Sequence, residues 1–129
     1  MECELKLKTL VYDKIEFIRL GIHSDKQLEV NFTVTIGTNL SDHKIKRVSL
    51  AIHGEKQKEY RFEIQASGFF DYEGDVDDSI IQQNAVAIIM PYIRSEVSIL
   101  TAQPGVEPVV LPPFNIVEMM KNSSESTVE

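Results

Sequence analysis

Residues 85–93, Ala-Val-Ala-Ile-Ile-Met-Pro-Tyr-Ile, pass through nine positions without a charge or a side-chain amide. A surface helix shows a polar side every turn, so a helix built on this run needs cover on more than one side. The flanks do read as helix. Ser79 and Gln82 have the S-x-x-Q spacing in which a cap hydroxyl and a third-position amide satisfy each other's orphan backbone donors. Pro104 cannot continue the ladder and Gly105 tolerates a left-handed turn, so the helix predicted from Asp78 stops before them. Pro91 removes one backbone bond and presses its ring toward the carbonyl of Ala87, which predicts a kink. Beyond it, Ile89, Ile93, Val97 and Leu100 hold one stripe while Arg94, Ser95, Ser98 and Thr101 turn elsewhere. The first half is expected to be buried on both flanks and the second half on one. A single small sheet covers one flank. The other implies a second subunit, with Val86, Ile89, Met90, Ile93 and Val97 as the expected oligomer interface.

The sheet is written in alternation. Leu28, Val30, Phe32, Val34 and Ile36 take one face of a strand, and Glu29, Asn31, Thr33 and Thr35 take the other. Cys3, Leu5 and Leu7 alternate with Glu4, Lys6 and Lys8, break at Tyr12-Asp13-Lys14, and resume at Ile15 and Phe17. Val48, Leu50 and Ile52 predict a third strand, with Gly54 tightening a hairpin. Tyr60, Phe62, Ile64 and Ala66 predict a fourth, ended by Gly68-Phe69-Phe70. Four alternating strands with short links argue for an antiparallel sheet with one apolar face. Pro104, Pro108, Pro112 and Pro113 predict an extended segment packed by Val109, Val110 and Leu111. Asn115 and Glu118 suggest a cap for a short last helix, from Ile116 to about Lys121. The class is therefore α+β: a four-stranded antiparallel sheet with one long kinked helix and one short C-terminal helix packed on one side. Its 129 residues make one domain over 1–121, followed by an acidic tail, 122–129, too poor in apolar residues to order itself.

Charge narrows the partners. A net charge of −7 disfavours nucleic acid and anionic membrane. The single cysteine, Cys3, cannot close an internal disulfide, and the run 85–93 is too short to span a bilayer; a cytoplasmic location is expected, with no membrane insertion. His23, His43 and His53 fall in three connections without metal-ligand spacing, so no metal is expected, and no cofactor. The acidic run 71–78 resembles a calcium loop only superficially, because the glycine and the distal glutamate are misplaced. Neither a nucleophile motif nor a phosphate loop is present, and no catalytic residue is expected. Surplus apolar side chains remain, among them Phe17, Leu20, Ile22, Phe69, Phe114 and Met119. They suggest a groove between the long connections and the last helix that repacks around varied apolar ligands.

Met90-Pro-Tyr-Ile-Arg94 resembles the F-P-Y-x-R element of the SecB-type export chaperones. Residues 100–115, L-T-A-Q-P-G-V-E-P-V-V-L-P-P-F-N, resemble that family's closing segment, and residues 60–70, Y-R-F-E-I-Q-A-S-G-F-F, its fourth strand. The match covers about residues 4–121. It implies a SecB-like fold, a homotetramer built as a dimer of dimers, and an ATP-independent chaperone that holds unfolded precursor polypeptides and passes them to the SecA ATPase. It further implies client contact at Val30, Phe32, Val34, Phe69 and Phe114, and partner docking at Glu63. Two alternatives stand beside this: a SecB-like chaperone protecting the antitoxin of a toxin–antitoxin system, and a non-chaperone adaptor that adds a partner strand at a sheet edge.

Overall fold

The computed structural model describes residues 5–38, 45–72 and 77–112, and the backbone of 124–127. The alternating segments form strands β1 (Leu5–Arg19), β2 (Leu28–Thr38), β3 (Ile45–Lys56) and β4 (Tyr60–Tyr72), followed by helix α1 (Asp78–Thr101) and a short β5 (Ser124–Thr127). The sheet order is β1-β4-β3-β2-β5. The first four strands pair antiparallel, and β5 lies parallel on the outer edge of β2. The predicted four-stranded antiparallel sheet is therefore present, with a strand added where no order was expected. An edge strand can bind through its main chain, which does not require the apolar side chains that this segment lacks.

Alternation places Val34, Ile36, Val48, Leu50, Ile52, Ile64, Ala66 and Phe70 on one sheet face, all buried, and α1 packs on that face over β4 and β3 above all. The break at Tyr12-Asp13-Lys14 is a register shift in a continuous strand, because Tyr12 pairs with Ala66 and Lys14 with Gln65. Gly54 does not make the β3–β4 turn. It sits inside β3 because a Cβ there would collide with the Phe62 ring, and the turn falls at Lys56–Tyr60 with Lys58 in the left-handed region, φ 69°. Gly68 does not end β4 either, since pairing continues to Tyr72.

The helix differs from expectation in three respects. It runs as one α-helix through Pro91 with no break, so the predicted kink is absent. Pro91 lies on the exposed crest, where its ring faces solvent and the carbonyl of Ala87 can turn to water. Its cap is Asp77, whose side chain accepts from the Ser79 N–H at 3.3 Å, and the expected Ser79–Gln82 box does not form. Nor is the first half buried all round: Ile81, Gln82, Ala85, Val86 and Ile89 face the sheet, while Ile80, Asn84 and Ala87 are exposed. The short last helix predicted from Ile116 lies outside the described residues.

After α1 the chain turns back along the helix. Arg94 Nε donates to the Leu111 carbonyl at 3.2 Å and Ser98 Oγ to the Val109 carbonyl at 3.0 Å, while buried Thr101 Oγ1 accepts from the Val109 N–H at 2.8 Å. Val106 and Leu111 enter the core, but Val110 points outward, 79% exposed. The extended, aliphatic-packed segment read from its prolines is thus anchored by alternate residues only. At the other end of β1, Arg19 Nη2 donates to the carbonyls of Ile22 and Gly105 and ties two connections together.

Candidate functional site

The two faces of the sheet differ in chemistry. On the face away from α1, the extra residue of the β1 bulge, Asp13, accepts from Arg47 Nη2 at 3.2 Å and from Ser67 Oγ. Ser67 is fully buried and shares a 2.8 Å hydrogen bond with Ser49. Beside them Glu63 accepts from Lys14 Nζ at 2.8 Å and Gln65 Nε2 at 2.6 Å, with His53 Nε2 at 3.5 Å. The Lys14 hydrogen bond, outweighing burial, holds the Glu63 carboxyl below its ordinary value, and the same bond raises Lys14. A shallow concavity lies next to this group, lined by Glu16, Glu29, Asn31, His53, Glu55 and Arg61 among others. No group of three or more His, Cys, Asp or Glu among the described residues could hold a metal ion. Ser67, the buried hydroxyl here, is engaged by Asp13, Arg47 and Ser49, and among the described residues no imidazole is bonded to it. This face is a solvated, internally paired polar surface.

The other candidate is the seam between α1 and β1. Tyr12 Oη donates to the Tyr92 carbonyl at 3.1 Å across it. Burial, then Glu96 and Tyr92, raise the Tyr12 hydroxyl above its ordinary value, which places Glu96 at the same seam. Tyr92, Glu96 and Ile99 share one helix flank by their spacing. Tyr12 and Ile15 project on the helix side of β1, because their partners Ala66 and Ile64 are core residues. The seam thus carries Tyr12 at 37%, Ile15 at 47%, Tyr92 at 46% and Ile99 at 64% exposure, with Leu10 half-buried beneath. Val11, 38% exposed, stands on the opposite side of the same strand. These are large apolar groups in water at the margin of a core.

The residues expected to bind clients are divided by this arrangement. Val30 and Phe32 are half-buried on the helix side of β2, and Val34 is fully buried in the core. Phe69 lies on the opposite, polar face, with the Arg47 guanidinium 5.5 Å from its ring centre. Phe114 lies outside the described residues. Glu63 is not an unengaged docking carboxylate but the centre of the pairing just described. The five residues expected at an oligomer interface, Val86, Ile89, Met90, Ile93 and Val97, are 0–4% exposed against the chain's own sheet. Their stripe is the inner face of α1, packed on the chain's own sheet.

The sequence does contain a sign of the seam. Leu10-Val11-Tyr12 breaks the alternation of β1 with three consecutive apolar residues, and in a half-covered strand one of them must meet solvent. Ile99 likewise falls off the Ile89-Ile93-Val97 stripe.

The likenesses to solved structures agree with this architecture. The chain is 31% identical over 136 residues to the uncharacterized protein MJ0357 of Methanocaldococcus jannaschii, covering 96% of this chain and 87% of the other. No family model matches. Its fold superposes on the Mycobacterium tuberculosis SecB-like chaperone Rv1957, solved in complex with a ChAD peptide from the HigA1 antitoxin, with a TM-score of 0.65 at 17% identity, covering 86% of this chain and 88% of that one. A protein of unknown function from Streptococcus agalactiae gives a TM-score of 0.54 at 12% identity, covering 88% of this chain and all of the other.

Proposed function

Given that the chain belongs to the family of Methanocaldococcus jannaschii protein MJ0357, and that its fold is that of a SecB-like chaperone, we propose that it is a chaperone that holds unfolded polypeptides without ATP. The observation that carries the reading is the α1–β1 seam, where Tyr12, Ile15, Tyr92 and Ile99 stay in water although a core lies beside them. Each apolar client side chain laid on such a surface contributes roughly 1.5–3 kcal/mol when fully buried. Several weak contacts along one client, or across copies in an oligomer, give useful affinity without one tight pocket. Holding then works by mass action, because a protein that binds only the unfolded state withdraws it from aggregation.

Assembly as a dimer of dimers belongs to the same proposal, and it must use surfaces other than the inner helix stripe. The outer crest of α1, with Ile80, Asn84, Ala87, Pro91 and Ser95, is exposed and carries no charge. A second reading of the client is an antitoxin segment, favoured by the peptide held by the mycobacterial neighbour. Delivery to SecA has weaker support, because Glu63 already satisfies Lys14 and Gln65. If Glu63 does dock that motor, Glu63→Arg abolishes the association and leaves holding unchanged.

The test is light scattering from a chemically unfolded model protein diluted into buffer. Equimolar chaperone is expected to delay aggregation, without ATP. Absence of any delay would remove the holding function.

A further inference from the structure

The outer edge of β2 carries an inference that rests on the polypeptide-binding reading. β2 is the last of the four antiparallel strands, so its outer edge offers main-chain donors and acceptors to whatever extended segment arrives. Residues 124–127 take part of that edge, pairing Thr33 with Ser124, Val34 with Glu125, Thr35 with Ser126 and Ile36 with Thr127. Their sequence is Ser-Glu-Ser-Thr, with no apolar side chain to lay on either sheet face. Their hold on β2 is therefore main-chain bonding over four residues, in the parallel arrangement that is slightly weaker per residue. The pairing stops at Thr33, and among the described residues no strand covers 28–31 on that side. Leu28 and Val30 lie half-buried beside this stretch, on the face that packs toward α1. An extended segment with apolar side chains at every second position would make the same bonds over a longer stretch. It would also cover Leu28 and Val30, with which residues 124–127 do not pair.

We propose that the outer edge of β2 is a strand-accepting site for extended, alternately apolar segments of unfolded polypeptide, and that residues 124–127 are its resident occupant, displaced when such a segment binds. The resident segment acts as a competitor in cis. It blunts an edge that would otherwise pair with other copies of the chain, and it favours segments that bury apolar surface over those that bond through the main chain alone.

The test compares the full chain with a chain ending at Ser123 and with the double variant E125P/S126P, which removes a strand N–H on each side. The probe is a fluorescently labelled synthetic peptide of alternating valine and serine, with binding read by anisotropy and the amides of residues 33–36 read by hydrogen exchange. In both altered chains those amides are expected to exchange faster and to slow again when the peptide is added. Peptide affinity is expected to rise on the order of tenfold if the resident segment occupies the edge about nine-tenths of the time. Unchanged exchange at 33–36, or equal peptide affinity in all three chains, overturns the proposal. If all three chains still delay aggregation in that case, holding stands and only the β2 site is lost. If none delays aggregation or binds peptide, both readings fall together.

Discussion

Ile15 and Ile64 face each other across β1 and β4, yet Ile15 is 47% exposed and Ile64 is fully buried. The difference is position in the sheet: β4 lies inside, while β1 is the edge and the helix covers it only in part. Ile64→Asp should leave no folded protein, because an unpaired charge would enter the core. Ile15→Asp and Ile99→Asp should each leave the thermal midpoint nearly unchanged, since exposed positions tolerate polar residues. Combined, they should cut client holding severalfold in the aggregation assay while the far-ultraviolet circular dichroism stays that of the parent. Glu63 supplies a pH dependence. Its folded carboxyl titrates below the ordinary 4.5, so the stability it contributes is present above that value and is lost as pH falls through the lower folded value. Urea midpoints should therefore fall less between pH 7 and pH 3 in Glu63→Gln than in the parent chain. At this scale the sequence was only partly legible. Glu63 could be recognised as facing away from the core, but its engagement depends on Lys14, forty-nine residues away in the chain. That neighbour is set by the β1–β4 register, which no local pattern states.

Whole elements were easier to read, because strand alternation is a local record of which side is wet. β2, β3 and β4 appear where Leu28–Ile36, Val48–Ile52 and Tyr60–Ala66 predict them, and the bulge in β1 appears at the predicted break. The inner and outer sides of α1 were not legible. Residues 85–90 are apolar on every side, so periodicity could not tell Ala87, exposed, from Val86, buried. The sheet decides it: α1 packs where Gly68 leaves room for Ile89, since a Cβ on Gly68 would come within 3.2 Å of that side chain's tip. Ile89→Ala should therefore cost about 2–5 kcal/mol, and Ile99→Ala within about 0.5 kcal/mol of nothing, both read from denaturant midpoints. The cap gives a second check. Asp77→Ala should cost about 1 kcal/mol, because the Asp77 carboxylate satisfies a first-turn donor, whereas Ser79→Ala should be close to neutral.

As a whole molecule the protein separates two surfaces by chemistry. The sheet face away from α1 pairs its own charges through Asp13, Arg47, Lys14 and Glu63, while the α1–β1 seam leaves aromatic and aliphatic groups in water. Surplus apolar content was legible from the sequence, but its place was not. Of the residues expected to be surplus, Leu20 and Ile22 are exposed in the connection after β1, Phe17 is half-buried, Phe69 lies on the polar face, and Phe114 and Met119 lie outside the described residues; the apolar groups of the seam, Tyr12, Ile15, Tyr92 and Ile99, were not among them. Photocrosslinking would locate client contact directly. A photoreactive amino acid would be placed singly at Ile15, at Ile99, at Gln83 on the outer crest of α1 and at Arg61 on the polar face, and each chain mixed with a labelled, chemically unfolded protein. Strong capture at positions 15 and 99 with little at 83 and 61 is the expected result. Equal capture at all four, or capture confined to position 61, would contradict the assignment of client holding to the seam.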